Sequence, residues 1–245
     1  MENEGALKAA VGYENSGYES AAVGYEGEDY EAAAAYNHVM RNIFLVCKRA
    51  ADILFSLAGM ILLSWLFLII AVIVAVREGR PIIHKRKCIG RNGRQFYMYK
   101  FRTMVVDADN LEKYMSAEQI KEYKELCKLD NDPRITRTGK FLRKTSLDEL
   151  PQLLNVFLGT MSLVGPRPVV RSEAEEYGDN LSELLSVRPG ITGYWQVYGR
   201  GEKSYIGLES KQQQQLYYTA NCGFILDIKI MLHTVLVVFS GKGAK

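Results

Sequence analysis

The chain has 245 residues, 48% of them hydrophobic and 24% charged, with a formal net charge of +3. This length allows one sizeable domain or two small ones. The four cysteines, Cys47, Cys88, Cys127 and Cys222, include no C-x-x-C pair. Their scatter argues against a zinc site and against a disulfide framework, and it is typical of a protein in a reducing compartment.

Residues 1–40 differ from the rest of the chain in composition. They repeat Gly-Tyr-Glu three times, starting at positions 12, 17 and 24, and carry eight acidic residues and one lysine. Their net charge of −7 leaves +10 on the remaining chain. With few large aliphatic side chains this stretch cannot bury a core, so we predict a disordered acidic tail over 1–40. Its five tyrosines leave a partner-binding role open, although we favour an inert, solvated tail.

The next feature is a run of 24 uncharged residues, 53–76, with the sequence ILFSLAGMILLSWLFLIIAVIVAV. As a helix it would be roughly 36 Å long, enough to cross a hydrocarbon core of about 30 Å. It begins too deep in the chain and is too long for a cleaved signal peptide. We therefore predict a membrane helix region over 41–79, formed by a helical hairpin or by one long bent helix.

Basic residues flank both ends of this apolar run. Lys48 and Arg49 precede it, while Arg77, Arg80 and five further basic residues between positions 85 and 94 follow it. Positive charge marks the cytoplasmic side of a membrane, so the part that follows is expected there. The charges in front also resist export, which favours a re-entrant segment with both ends on one face, and a straight span stays open.

The remainder, 80–245, is predicted to be a catalytic domain at the membrane surface. Residues 224–239 are apolar but contain Asp227, Lys229 and His233, a pattern that suits a helix lying in the interface better than a spanning one. The fold class expected is mainly α with short β elements, a membrane-anchored α+β domain with amphipathic interfacial helices. Residues 80–106 alternate in places between apolar and polar, which predicts short strands or an extended edge. The other predicted elements are a polar helix over 107–128, a turn-rich stretch DPRITRTG over 132–139, and helices over 146–158 and 172–186.

Two neighbouring carboxylates, Asp148 and Glu149, lie in the stretch KTSLDELPQLLNVFLG. Ser146 and Glu149 fit a capping box at a helix start, which is a purely structural interpretation. Pro151 would then fall at the fifth helical position, where its missing N–H costs a bond. The helix is therefore either loosened or begins later than the box suggests, and a chemical role for one of the acids stays open.

Arginines recur beside rigid or hydroxyl-bearing segments in YKFRTM, FLRKTSLDE and GPRP, which contain Arg102, Arg143 and Arg167 respectively. A guanidinium suits two-point contact with phosphate oxygens. Pro166 and Pro168 restrict the backbone on both sides of Arg167. Together with the acid pair and a membrane helix, these arginines indicate an anionic substrate, a divalent metal held by carboxylate and a lipid-facing site.

Five stretches, YKFRTM, DPRITRTGKFLRKTSLDELPQLLNV, MSLVGPRP, VRPGITGYWQVYGR and LDIKI, together resemble the bacterial sugar transferase family, the monotopic phosphoglycosyl transferases. The resemblance runs from about Lys48 to Val238. It implies transfer of a sugar-1-phosphate from a UDP-sugar to a polyprenol phosphate such as undecaprenyl phosphate, with release of UMP, as a first step in exopolysaccharide, capsule or O-antigen assembly. It also implies the bacterial inner membrane, with catalysis on its cytoplasmic face; a homodimer is left open.

The resemblance assigns roles to the acid pair. Asp148 would be the nucleophile, forming a phosphosugar–aspartyl enzyme that the lipid phosphate then attacks, a two-step course open to carboxylates. Glu149 would help to hold Mg²⁺, which both acids would ligate and which would reduce repulsion between carboxylate and phosphate.

The basic residues and prolines take their roles from the same resemblance. Arg143 matches the position that meets phosphate near the acid pair. Arg167, with Pro166 and Pro168, matches the loop that binds the nucleotide sugar. In YKFRTM, Lys100 and Arg102 are further candidates for phosphate contacts, and bracing of the site is the alternative role for Arg102.

One departure from the family and two rival functions remain. Members often have Ser-Pro in the middle of the membrane helix, where this chain has Ser64-Trp65, which leaves the re-entrant topology open. One rival is a membrane-anchored scaffold that recruits partners through the tyrosine-rich tail. The other is a nucleic-acid binder, but the basic residues gather at the membrane boundary, where they suit anionic headgroups. We therefore expect no nucleic-acid partner.

Overall fold

The structure is a computed structural model that describes residues 28–126, 129, 131–199 and 208–240. The chain divides into two compact units, residues 1–48 and 49–245. Residues 1–27 of the predicted tail lie outside the described part. Helix α1 (Glu28–Leu62) begins inside the stretch that the composition assigned to the tail, so residues 28–40 are helical here.

The apolar run forms two helices joined by a sharp bend. After α1, helix α2 (Ser64–Glu78) continues beyond Leu63, whose φ of −99° and ψ of 7° interrupt the helix. The Ser64 hydroxyl donates to the Ile61 carbonyl at 2.8 Å; such local bonds are associated with helix bending. The long bent helix that the sequence predicted is confirmed, and the bend needs no proline.

Within the described residues, neither of these helices has by itself the length and hydropathy of a membrane span. Val39–Leu62 and Ser64–Glu78 have them only as a pair, bent by 62°. That geometry suits a broken span and a re-entrant loop equally, so the re-entrant topology stays open, and a span would be a broken one and not the straight one considered from the sequence.

Helix α2 is apolar all round but buries only one face against protein. Ile70 and Val74 pack with Phe101 and Leu142 in one core cluster. The opposite face is exposed and has helical spacing, as in an apolar surface that meets lipid or a partner. Its exposed residues are Trp65, Leu68, Ile69, Val72, Ile73 and Val76.

Short strands follow the bent pair, as the alternation in 80–106 predicted. Strand β1 (Ile83–Ile89) pairs antiparallel with β2 (Gln95–Phe101) across a tight turn at Arg91–Gly93. Strands β3 (Ser162–Val164) and β4 (Gly190–Thr192) form a second pair, which is parallel. The described part of the chain is mainly helical with these short strands, which confirms that part of the predicted fold class.

The remaining helices are shorter than the sequence predicted, except near the C-terminus. The predicted helix 107–128 is broken in two, and the predicted helices 146–158 and 172–186 each include a separate 3₁₀ turn. These helices are α3 (Leu111–Tyr114), α4 (Ala117–Leu126), α5 (Arg137–Lys144), α6 (Gln152–Leu158), α7 (Arg171–Glu175), α8 (Leu181–Leu184), α9 (Tyr194–Tyr198), α10 (Leu208–Asn221) and α11 (Phe224–Ser240).

Two side chains of α1 fasten the elements around the acid pair. Arg49 donates to the carbonyls of Val156 and Phe157 at 2.6 and 2.8 Å, at the C-terminal end of α6, where a cation is favoured. One turn later the buried Asp52 accepts from the Ser162 hydroxyl and the Leu163 amide at 3.1 and 2.9 Å. The apolar helix is thereby tied to the segments on both sides of the turn between α6 and β3.

Candidate active site

The acid pair lies on a 3₁₀ turn, Leu147–Glu149, between α5 and α6. The capping box that the sequence allowed does not form, because the Ser146 side chain makes no capping bond. Ser146 is instead left-handed, with a φ of 56° and a ψ of 16°, and reverses the chain after α5. Pro151 stands at the N-cap of α6, so the helix begins after the proline, which is the later of the two starts considered.

Asp148 is the more buried of the two acids, with only 7% of its surface exposed. Burial raises the pKa of its carboxyl, since a charged form loses solvation there, and the neighbouring Glu149 raises it further. Lys100 and Arg143 act in the opposite direction on this pKa. The two acids of the pair therefore have different environments, and Asp148 is the one set in a cationic, poorly solvated position.

Glu149 is held by Lys100 of β2. Its Oε1 atom lies 2.6 Å from the Lys100 Nζ, and both side chains are partly exposed. The strand that carries Lys100 is itself fastened to α6 by the buried Asn155. The Asn155 side chain accepts from the Tyr99 amide at 3.0 Å and donates to the Tyr97 carbonyl at 2.7 Å. The lysine and the acid pair are therefore held at a fixed separation.

Arg143 is brought to the acid pair by the reversal at the end of α5. Its Nε donates to the Thr103 hydroxyl at 2.9 Å. Burial lowers the pKa of Arg143, and the charge of Asp148 opposes that effect. Helix α5 can lie close to the Thr103 backbone because Gly139 has no side chain. A Cβ at Gly139 would lie 2.0 Å from the Thr103 carbonyl oxygen. The charges of Arg143 and Asp148 therefore act on each other, and the contact of Arg143 with phosphate stays a prediction.

Arg102 has a different position from Arg143, although both are in the arginine-rich motifs. It is 5% exposed, and its Nη2 donates to the carbonyls of Glu78 and Gly79 at the end of α2. Its Nε and Nη1 have no hydrogen-bond partner among the described residues. This geometry corresponds to the bracing role considered for Arg102, and a phosphate contact stays a prediction.

The Pro166-Arg167-Pro168 segment follows β3, on a different part of the chain from the acid pair. Arg167 is half-buried, and neither a hydrogen bond nor an ion pair joins its guanidinium to another residue of the described part. The described contacts do not connect this loop with Asp148 or Glu149. Its predicted role in binding a nucleotide sugar remains a prediction.

Sequence reasoning overlooked three polar residues around Arg143, namely Thr103, Asp132 and Arg134. Arg134 and Asp132 form a buried ion pair at 2.6 Å, and both charges affect the pKa of Arg143. Burial by itself would raise the pKa of Asp132, but the hydrogen bonds from Arg134 lower it. The only available signal was the DPR triplet in DPRITRTG, which was treated as a turn.

Residues 43–241 match the model of the family described as Bacterial sugar transferase. The chain belongs to this family. The recognition made from the motifs is therefore confirmed, and so is the prediction that the chain is an enzyme, because the family consists of sugar transferases.

Named relatives of this bacterial sugar transferase carry related activities in their names. The chain is 42% identical over 200 residues to the undecaprenyl-phosphate galactose phosphotransferase of Salmonella typhimurium, covering 80% of this chain and 41% of that protein. It is 39% identical over 202 residues to the exopolysaccharide production protein ExoY of Sinorhizobium fredii, covering 81% and 88%. With the UDP-glucose:undecaprenyl-phosphate glucose-1-phosphate transferase of Klebsiella pneumoniae the identity is 37% over 214 residues, covering 85% and 43%.

These alignments differ in how much of each relative they include. The chain spans about two fifths of the length of the Salmonella protein and of the UDP-galactose-lipid carrier transferase of Erwinia amylovora, and most of ExoY. The sugar transferase region is therefore shared by relatives of different total length.

The acid pair of this sugar transferase suits Mg²⁺ in ligand type. Mg²⁺ is usually bound through one or two carboxylates together with substrate phosphates. Asp148 and Glu149 are adjacent carboxylates, and the described residues form no group of three or more His, Cys, Asp or Glu that could hold a metal by itself. The remaining ligands would then come from substrate and water. The residues fit Mg²⁺, and its binding stays a prediction.

Proposed function

We propose that this sugar transferase moves a sugar-1-phosphate from a UDP-sugar to a polyprenol phosphate, most simply undecaprenyl phosphate, and releases UMP. The observation that carries the proposal is the buried Asp148 carboxylate, which lies on the turn next to the Lys100–Glu149 ion pair and on which the positive charges of Lys100 and Arg143 act. The names of the relatives, which include undecaprenyl phosphate and UDP-sugars, support the two substrates.

In the first step an Asp148 carboxylate oxygen attacks the phosphorus that bears the sugar. A P–O bond forms to Asp148, and the P–O bond to UMP breaks with its electron pair leaving on UMP. Burial makes the free carboxylate costly. In the acyl phosphate the Asp148 oxygen is an uncharged ester oxygen, and the negative charge that it gave up leaves on UMP. Arg143 and Lys100 supply positive charge where the diphosphate oxygens would lie.

In the second step an oxygen of the polyprenol phosphate attacks the same phosphorus. The bond to Asp148 breaks, the carboxylate is restored, and the product is a polyprenol diphosphate sugar. When bound, Mg²⁺ would neutralise charge between the acid pair and the diphosphate. Before substrate arrives, the 2.6 Å ion pair between Glu149 and Lys100 holds the lysine at the turn that carries Asp148.

The lipid substrate requires contact with a membrane, and two surfaces support this part of the proposal. One is the exposed apolar face of α2 defined above. The other is the exposed apolar side of α11, which includes Ile225, Ile228 and Leu232. The basic residues after α2 favour the cytoplasmic face of the bacterial inner membrane, by the positive-inside rule.

The full chain, purified in membranes or detergent with Mg²⁺, should transfer radiolabel from at least one UDP-sugar to undecaprenyl phosphate. Without the lipid, wild type should retain label on the protein, while Asp148→Asn should retain none and lose transfer by at least about a thousandfold. Asp107→Asn is a matched control, because Asp107 is exposed and pairs with Lys113.

Absence of transfer from every UDP-sugar in a panel of glucose, galactose and their N-acetylated forms would overturn the proposal. It would favour the scaffold alternative. A substantially active Asp148→Asn variant would contradict the nucleophile while leaving the reaction in place.

A further inference from the structure

The Pro166-Arg167-Pro168 segment offers a single backbone hydrogen-bond donor. Proline has no N–H, so the Arg167 amide is the one donor across these three residues. Whatever accepts from this amide therefore has a strong influence on the backbone from which the guanidinium extends.

The acceptor is the side chain of Gln215 on α10. The Arg167 N–H donates to the Gln215 Oε1 at 2.7 Å, across 48 residues of sequence. Gln215 is only 1% exposed. A glutamine buried this completely is expected to have its polar atoms satisfied, and its carbonyl is used on the Arg167 loop.

The other end of the Gln215 carboxamide is also engaged. Its Nε2 donates to the Tyr177 hydroxyl at 2.6 Å. Tyr177 is buried, and burial raises the pKa of its phenol, so the hydroxyl stays protonated at neutral pH. Because the Arg167 amide can only donate, a flipped carboxamide would oppose two donors. The Gln215 orientation is therefore fixed by its two partners.

The backbone just before Arg167 is anchored at every residue. The Val164 carbonyl accepts from the Tyr218 hydroxyl at 3.2 Å. The Gly165 amide donates to the Thr192 carbonyl at 2.9 Å, and the Pro166 carbonyl accepts from the Gly190 amide at 2.8 Å. The hydrogen bond to Gln215 adds Arg167 to this series of anchored residues. The Arg167 side chain itself has neither an ion pair nor a hydrogen bond to the described residues.

We infer that Gln215 is a positioning residue that directs the Arg167 guanidinium toward the diphosphate of the nucleotide sugar. This inference rests on the proposed function, in which Arg167 belongs to the nucleotide-sugar loop. A fixed backbone reduces the freedom that an arginine loses when it binds phosphate. Gln215 acts through the Arg167 amide and has no contact of its own with substrate.

The main test compares Gln215→Leu with wild type in the UDP-sugar transfer assay. We expect the KM for the UDP-sugar to rise about tenfold or more, the range for leaving one buried amide without its acceptor, with kcat within about threefold. The KM for the lipid should not change. Gln212→Leu is the matched control, since Gln212 lies on the same helix and donates to the Glu176 carbonyl at 3.1 Å.

A double-mutant cycle separates positioning from general damage. In an Arg167→Met background, Gln215→Leu should add no further rise in KM, because the guanidinium that it positions is gone. An equal additional rise in that background would overturn the inference and indicate a structural role. Tyr177→Phe is a milder variant that keeps the Gln215 acceptor, and it should raise KM by a factor between those of wild type and Gln215→Leu.

Hydrogen exchange gives a readout that is independent of activity. The Arg167 amide should exchange faster in Gln215→Leu than in wild type or Gln212→Leu, in overlapping peptides that include positions 165–169. If wild type is active, unchanged exchange of the Arg167 amide or an unchanged KM in Gln215→Leu would overturn this inference and leave the proposed function in place. Failure of wild type to use any UDP-sugar would instead overturn the proposed function.

Discussion

The turn that carries Asp148 and the loop that carries Arg167 are organised in opposite ways. At the turn, charged side chains hold one another: Lys100 pairs with Glu149 at 2.6 Å, and the pKa of Asp148 depends on its charged neighbours and its burial. At the loop, hydrogen bonds hold the backbone, and the arginine side chain extends without a described partner. The turn should therefore respond to charge and pH, and the loop to changes in backbone fit.

The largest effect expected from this difference is that of Lys100→Met. Lys100 lowers the pKa of Asp148 against the effects of burial and Glu149, so its removal should raise that pKa further. Because Asp148 attacks only when ionised, the acid limb of kcat against pH should move to higher pH. At neutral pH we expect a loss of about a hundredfold in kcat, with partial recovery as the pH rises.

The pH profile of kcat checks this prediction. Lys113→Met is the control, since Lys113 pairs with Asp107 at an exposed position. Its acid limb should coincide with that of wild type. If Lys100→Met also kept the wild-type acid limb, the charge coupling between Lys100 and Asp148 would be contradicted.

The loop should be the more sensitive region to added volume, as Gly165→Ala would show. A Cβ at Gly165 would lie 2.4 Å from the Arg188 carbonyl oxygen and 2.7 Å from the Gly190 nitrogen. Since both are backbone atoms, the strands must separate, at a cost of about 1–3 kcal/mol. We expect a lower melting temperature and a higher KM for the UDP-sugar, with the acid limb of kcat unchanged.

Gly223→Ala provides the matched comparison for that variant. At Gly223 the nearest atom to an added Cβ is the Asn221 carbonyl oxygen at 3.9 Å, an ordinary contact. Its melting temperature should therefore remain close to that of wild type. Equal melting temperatures for Gly165→Ala and wild type would show that the loop tolerates displacement, and the contrast between the two regions would fail.

The parts of the site that the sequence predicted are those that depend on neighbours along the chain. Arg143 lies five positions before Asp148, and a single reversal brings them together. The bent apolar pair followed in the same way from a continuous run of hydrophobic residues. Local spacing and hydropathy are sufficient for such features.

Contacts between distant segments had no comparable signal. Lys100 and Glu149 are 49 residues apart, and Arg167 and Gln215 are 48 apart. A glutamine in a QQQQ run has no distinguishing pattern. The role inferred for Gln215 depends on a hydrogen bond between two segments that are distant in the sequence. The S-x-x-E pattern at the 3₁₀ turn also fits a capping box, so the pattern could not decide between a helix start there and the later start that Pro151 indicated.

The smallest effect expected concerns Ser146, which gives the acid turn its direction. Its φ of 56° is in the left-handed region, where a residue with a Cβ is less stable by about 1–2 kcal/mol than in the right-handed one. Ser146→Gly would remove that cost, but glycine also gains entropy in the unfolded chain, by roughly 0.5–1 kcal/mol. We expect a net gain in the free energy of unfolding of about 0–1.5 kcal/mol.

Ser146→Ala separates backbone from hydroxyl, because it keeps the Cβ and loses the oxygen. If the backbone conformation at position 146 determines the stability, Ser146→Gly should melt at a higher temperature than Ser146→Ala. Both variants should keep the acid limb of kcat, since neither changes a charge. A higher melting temperature for Ser146→Ala would mean that the left-handed residue stores little strain. The conformation of the turn that carries Asp148 would then depend on the Lys100–Glu149 ion pair and on burial alone. The difference between this turn and the Arg167 loop, which is held through its backbone, would then be larger.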